Sequence, residues 1–407
     1  MTLGVERIAR LKAALHEANL DALVCALPTN VLLLSGYWPV VGASLAVVAR
    51  DGRVAVLAPD DERELAERGW APDVRTFQPG SLTRLTRLVE VVREPLAVLA
   101  ESMGIAAGRV GYEAGALDEP ASYASMAAYG AALLPLLGEA LPWATPTPAA
   151  NTLARLRSTL TGDEIDKVRA ACIVARSAFA RGAHGLRVGL REPEAAALFQ
   201  APLAVEGLAR AGVARAGGFV YCMSGPHSAL AGAAYARTRS RALDAGDLVL
   251  VHCNSFVDGY WTDITRTYCL GAPDTRQREM YEAVLAARAA ALDAVRPGTR
   301  AADVDAAARA ILVERGFGPN FTHATGHGVG FSAINGNALP RLHPASDDQL
   351  AAGMVFNVEP AIYVEGYGGV RHCDVVVVTA RGAEVLTPFQ AGIEYMTIAG
   401  SAQFKGR

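Results

Sequence analysis

This sequence predicts an α+β protein in two domains, a smaller α/β domain followed by a larger α+β one. Three observations carry that expectation. A chain of 407 residues is longer than one ordinary hydrophobic core organises. Several stretches repeat apolar residues at helical spacing, and short apolar runs bounded by turn residues read as strands. In the second half, helices and antiparallel strands come in an order that fits an α+β domain.

From the N-terminus, residues 5–18 form an amphipathic helix with Ile8, Leu11 and Leu15 on one side. Ala22 to Ala26 is a short buried strand. Leu45–Ala49 and Val54–Leu57, joined across Asp51-Gly52, form a β-hairpin, and Arg109–Tyr112 is a further strand. Pro142–Thr152 (PWATPTPAANT) is rich in Pro, Thr and Ala and reads as a linker, which gives domains 1–152 and 153–407. In the second domain Thr161 caps a helix, with Glu164 three residues on completing a capping box. Ile165, Val168, Cys172 and Phe179 are its apolar face and Gly182 its stop. Further helices are expected at Pro193–Ala211, Gln277–Val295 and Ala301–Glu314. Strands are expected at Phe219–Cys222, Leu248–Cys253, Thr265–Cys269, Met354–Val358 and Val370–Val378.

Composition excludes several classes. Hydrophobic residues make up 51% and charged residues 19%, which suits a compact soluble chain, and no apolar run reaches membrane-span length. A net charge of -3 gives no reason to expect nucleic acid. The early Glu6 and the helical period of the first residues argue against a signal peptide and for a cytoplasmic protein. The six cysteines form no CxxC pair, and Cys25, Cys172, Cys222, Cys253 and Cys269 read as small buried apolar residues.

The stretch Leu248–Cys269 (LVLVHCNSFVDGYWTDITRTYC) organises the second domain. A strand, a turn at Asp258-Gly259 and a second strand would bring His252 and Asp263 into a common space. GDLVLV, GYWTDITRT, HATGHGVG, FNVEPAIY and GGVRHCD together resemble the Xaa-Pro peptidase and methionine aminopeptidase family, with its pita-bread or creatinase-like fold. The resemblance covers almost the whole chain and is strongest at 244–380. It implies a creatinase-like N-terminal domain, a homodimer, and a site for two divalent metals built from Asp, Asp, His, Glu and Glu. Matched motif by motif, those positions hold His252, Asp263, His327, Glu359 and Cys373. Three keep the family residue, while His252 and Cys373 do not.

The substitutions add imidazole and thiol to carboxylates, a change that favours Zn²⁺ or Fe²⁺ over hard ions. The expectation is therefore one tightly held divalent metal, Zn first, with Fe, Mn, Co or none as alternatives, bound by Asp263, His327, Glu359 and Cys373, while a second metal relying on His252, Asp263 and Cys373 is weakened or lost. The resemblance further assigns His323 and Tyr235 to hydrogen-bonding near the scissile amide, while a third such histidine is replaced by Ile334 beside Asn335. His227, in SGPHSAL, replaces a lost histidine or is a surface loop residue. Arg371 binds a carboxylate or pairs with Asp374 or Glu359. Arg266, Thr265 and Thr267 are structural, and Asp374 orients a ligand. His372 faces away from the site.

The implied function is a hydrolase of this superfamily acting on a small peptide or small amide-type metabolite, with Glu359 assisting proton transfer and His323 steadying the oxyanion. The alternatives are a metal-free, creatinase-like hydrolase using His227 or His252 as base, and a non-catalytic binding protein. No nucleic-acid or membrane partner is expected.

Overall fold

The computed structural model describes residues 4–40, 43–79, 83, 87–113, 133–232, 238–389 and 391–399. The chain forms two compact units, one running to Arg157 and the other starting at Ser158.

The first unit contains α1 (Val5–Glu17), β1 (Ala22–Cys25), α2 (Pro28–Ser35), β2 (Leu45–Ala49), β3 (Val54–Pro59), α3 (Arg63–Ala66), β4 (Asp73–Phe77), α4 (Leu88–Ser102), β5 (Ala107–Tyr112), α5 (Leu133–Ala140), β6 (Trp143–Pro148) and α6 (Ala150–Ser158). Its sheet runs β4-β3-β2-β1-β5-β6. Gly52 (φ 95°) closes the β2–β3 hairpin, where a side chain would be strained. Leu45, Val47 and Leu57 pack with Leu96 and Leu99 of α4, and all five are buried. On α1, Leu11 and Leu15 are buried as their spacing requires, but Arg7 is buried in place of Ile8, donating to the Leu156 carbonyl at 2.9 Å.

Pro142–Thr152 is not a linker. Its first part is β6, paired parallel with β5 from Ala107–Trp143 to Tyr112–Pro148, and its end opens α6. Pro146 and Pro148 lack an N–H to donate, and the sheet edge is where a strand tolerates that loss.

The second unit contains α7 (Gly162–Gly185), α8 (Glu192–Leu208), β7 (Ala216–Ser224), β8 (Leu248–Val257), β9 (Tyr260–Trp261), β10 (Ile264–Leu270), α9 (Thr275–Ala294), α10 (Ala301–Glu314), β11 (Val355–Val358), β12 (Ala361–Val364), β13 (Gly368–Arg371), β14 (Asp374–Thr379), β15 (Gly382–Val385), α11 (Ile393–Met396) and β16 (Thr397–Ile398). Its strands form a sheet of order β16-β10-β8-β7 with β9 paired to β8, a three-stranded sheet β11-β14-β15, and the pair β12-β13. The capping box at α7 is complete: Thr161 N donates to Glu164 at 2.7 Å and Thr161 Oγ1 accepts from the Glu164 amide at 3.4 Å. Gly182 does not end α7, which continues to Gly185. A Cβ there would strike the Phe199 ring, so the glycine admits α8 instead.

The expected strand Val370–Val378 is two strands. β13 pairs with β12 and β14 with β11, and the change of partner falls at His372–Cys373. Asp374, at the start of β14, accepts from Arg266 at 2.6 Å, Arg288 at 2.5 Å and Thr387 at 2.7 Å, which ties β14 to β10 and α9. It was expected to orient a metal ligand. Its carboxylate is instead occupied by these three, with His372 Nε2 3.3 Å away.

Candidate metal centre

β8 and β10 set the site. They pair antiparallel with His252 opposite Thr265, so Asp263, just ahead of β10, comes beside the His252 ring. Asp258 and Gly259 turn the chain between β8 and β9 with φ of 50° and 88°. The Asp258 carboxylate holds that turn by accepting from the amides of Ala214 and Arg215, both at 2.9 Å. Asp263 Oδ1 then stands 3.8 Å from His252 Nδ1.

Glu359 follows β11, and Cys373 sits where β13 hands over to β14. The Cys373 thiol donates to the Asp263 carbonyl at 3.1 Å and lies 3.7 Å from its Oδ1. Asp263, Glu359 and Cys373 are all buried, and their donor atoms lie within 4.8 Å of one another. His327 reaches the same carboxylate, with Nε2 3.6 Å from Asp263 Oδ2. Its Nδ1 faces the Gly328 carbonyl at 3.0 Å and so carries a proton, which turns Nε2 toward Asp263. Asn357 Oδ1 accepts from the His327 amide at 2.6 Å. Gly326 permits that approach, since a Cβ there would collide with the Asn357 carbonyl.

The electrostatics follow from burial and these neighbours. Burial opposes the charge on Asp263, but His252, His327 and Arg371 outweigh it and hold the carboxyl below the usual carboxylate range. Burial lowers His252 to about 4, leaving it neutral. For His327 burial works the same way, yet the bond to Asp263 wins and its pKa is raised. Burial and the two carboxylates push the Cys373 thiol well up.

Two carboxylates and one thiol that converge, with an imidazole against the first carboxylate, are residue types that can hold a divalent metal ion. His252, expected as a ligand of a second metal, has both ring nitrogens engaged. Its Nε2 pairs with Asn254 Oδ1 at 2.8 Å, and its Nδ1 faces Arg371 Nη2 at 2.5 Å. No ring lone pair is left for an ion.

His323 also departs from expectation. Its Nδ1 donates to the Ala324 carbonyl at 2.7 Å, so Nε2 is an acceptor, taken by the Tyr363 hydroxyl at 3.0 Å. In that tautomer it has no proton to offer an oxyanion. Tyr363 was not read from the sequence, because only the β12–β13 pairing brings it within 3.5 Å of Arg371. Arg371 Nε lies 3.9 Å from Glu359 Oε2 and donates to Thr265 Oγ1 at 3.1 Å. Among the described residues, His227 is placed with Glu192 and not with the cluster. Its Nδ1 is 3.1 Å from the fully buried Glu192 carboxylate, which also accepts from Ser224. Tyr235 lies outside the described residues. Ile334 and Asn335 are half-buried in the loop beyond His327. No helix among the described residues is long and apolar enough to cross a membrane.

The Creatinase/Prolidase N-terminal domain model matches residues 7–159, and the Metallopeptidase family M24 model matches 166–380. The chain is 30% identical to an Xaa-Pro dipeptidase of Pyrococcus furiosus over 383 residues, covering 94% of this chain and 97% of that one. It is 37% identical to the probable dipeptidase PepE of Mycobacterium tuberculosis over 239 residues, 58% of this chain and 60% of that one. The solved prolidase from Pyrococcus furiosus superposes with a TM-score of 0.72 at 28% identity, covering 93% and 99% of the two chains. The fold is thus the expected pita-bread unit preceded by a smaller α/β domain.

Proposed function

Because the chain belongs to metallopeptidase family M24, a family of metal-dependent hydrolases, we propose that it cleaves the amide bond of a small peptide or small amide-type substrate at a single divalent metal. The observation that carries this reading is the buried cluster of Asp263, Glu359 and Cys373, with His327 against the same carboxylate. Those four residues would hold the ion, Zn²⁺ first and Fe²⁺, Mn²⁺ or Co²⁺ after it. When bound, the ion supplies Lewis acidity that polarises the amide carbonyl and acidifies the attacking water.

The chain's own residues do the rest. Asp263 enters the reaction ionised. Glu359 accepts a proton from the attacking water and returns it to the leaving nitrogen. Arg371, fixed between Thr265 and Glu359, offers its guanidinium to the oxygen that gains charge. Burial of all these groups excludes bulk water and strengthens each interaction. The same proposal includes a cytoplasmic homodimer.

The test is metal content and turnover on Xaa-Pro dipeptides and on small amides, for protein purified without chelator. About one Zn or Fe per chain, with turnover lost in a folded His327→Ala variant, supports the reading. A metal-free protein with undiminished turnover overturns it.

A further inference from the structure

The one-ion reading leaves a positive charge beside the cluster to be explained. Arg371 is buried, and its guanidinium is directed by three partners: Thr265 Oγ1 at 3.1 Å, the Tyr363 hydroxyl at 3.5 Å and His252 Nδ1 at 2.5 Å. Each end of that arrangement has a defined hydrogen direction. Asn254 Nδ2 donates to the Thr262 carbonyl at 3.1 Å, so Asn254 Oδ1 is an acceptor and His252 Nε2 carries the proton. His252 Nδ1 is therefore a lone pair, and Arg371 donates to it. At the other end, Tyr363 donates to His323 Nε2, and its oxygen accepts from Arg371 Nη1 at 3.5 Å.

Resting on the one-ion reading, we propose that His252 and Arg371 together stand in the place of a second divalent ion. His252 commits its lone pair to the guanidinium, and the guanidinium supplies the second positive charge beside Asp263 and Glu359. Charge balance supports this. Asp263, Glu359 and a Cys373 thiolate are three negative groups, matched by one divalent ion and one guanidinium. A second divalent ion would leave two uncompensated positive charges in a buried volume, and unbalanced buried charge is costly. An aspartate at position 252 would change both terms. It would add a negative charge, and it would offer an oxygen free to bind an ion while still pairing with Arg371.

The experiment is equilibrium dialysis of the full chain against MnCl₂ and, separately, ZnCl₂, followed by elemental analysis. Wild type, His252→Asp and His252→Gln are compared, with circular dichroism confirming that each is folded. His252→Gln keeps an acceptor for Arg371 but adds no negative charge, so it separates charge from shape. About one ion in wild type and His252→Gln, and about two in His252→Asp, is the expected result. Two ions in wild type, or still one in a folded His252→Asp, overturns the proposal, and the latter leaves the one-ion reading standing. No ion in wild type sinks the one-ion reading. In that case uptake by His252→Asp still upholds the block at position 252, and its absence removes that as well.

Discussion

A single thiol decides how the cluster meets a metal. Cys373 is fully buried, and burial together with Asp263 and Glu359 keeps its proton on far above the ordinary thiol range. A thiol ligates only as thiolate, so binding must release that proton. His327, with its raised pKa, carries a second proton at lower pH, which binding must also displace. The apparent Zn²⁺ affinity should therefore rise about tenfold per pH unit above the His327 pKa, and more steeply below it. Competition titrations with a chromophoric chelator at several pH values measure the slope. Cys373→Ser should lower the slope by about one proton and weaken binding by at least about tenfold. An affinity that does not change with pH would mean the thiol is not a ligand. Position 373 was legible from the sequence only through the motif around it. The commitment of His252 and His323 to other partners was not, because it depends on Asn254, Arg371 and Tyr363, which meet only after the strands pair.

At the scale of elements, turn chemistry was legible and strand continuity was not. Asp51-Gly52 and Asp258-Gly259 announced their turns because few residues accept the left-handed backbone there. Val370–Val378 reads as one strand because its residues favour strand on both sides of the break, and the exchange of β12 for β11 as partner is a tertiary event. Pro142–Thr152 misled for the opposite reason: its prolines and threonines suggest a linker, yet an edge strand accommodates them. Glu113 shows the same limit in the first unit. It lies 83 residues or more from the groups it serves, accepting from the amides of Ala26 and Leu27 at 2.6 Å and from Asn30 Nδ2 at 2.7 Å, and so holds the start of α2. Glu113→Ala leaves the buried Asn30 amide and the half-buried Ala26 and Leu27 amides without their acceptor and should cost about 2–4 kcal/mol in urea unfolding. The pH dependence has a definite sign. Burial raises the Glu113 pKa despite its three donors, so the folded state holds the proton more tightly than the unfolded state. Its contribution is complete below about pH 4 and declines as pH rises through the folded value. Glu113→Gln should therefore compare more favourably with wild type at pH 7 than at pH 4. A difference that is the same at both pH values would refute this account.

The whole molecule carries two cores, one in the unit ending at Arg157 and one in the unit beginning at Ser158. Every candidate ligand belongs to the second: Asp263, His327, Glu359 and Cys373. An ion that binds the folded state stabilises only the cooperative unit that contains its ligands, by about 2.7 kcal/mol at a hundredfold excess over Kd. Differential scanning calorimetry of the full chain should accordingly show two transitions. Adding Zn²⁺ to chelator-treated protein should raise one by several degrees and leave the other in place. His327→Ala should abolish the shift without moving the unresponsive transition, and Glu113→Ala should lower the transition that Zn²⁺ leaves alone. If Zn²⁺ moved both transitions together, the two cores would unfold as one and the metal would be stabilising the chain as a whole.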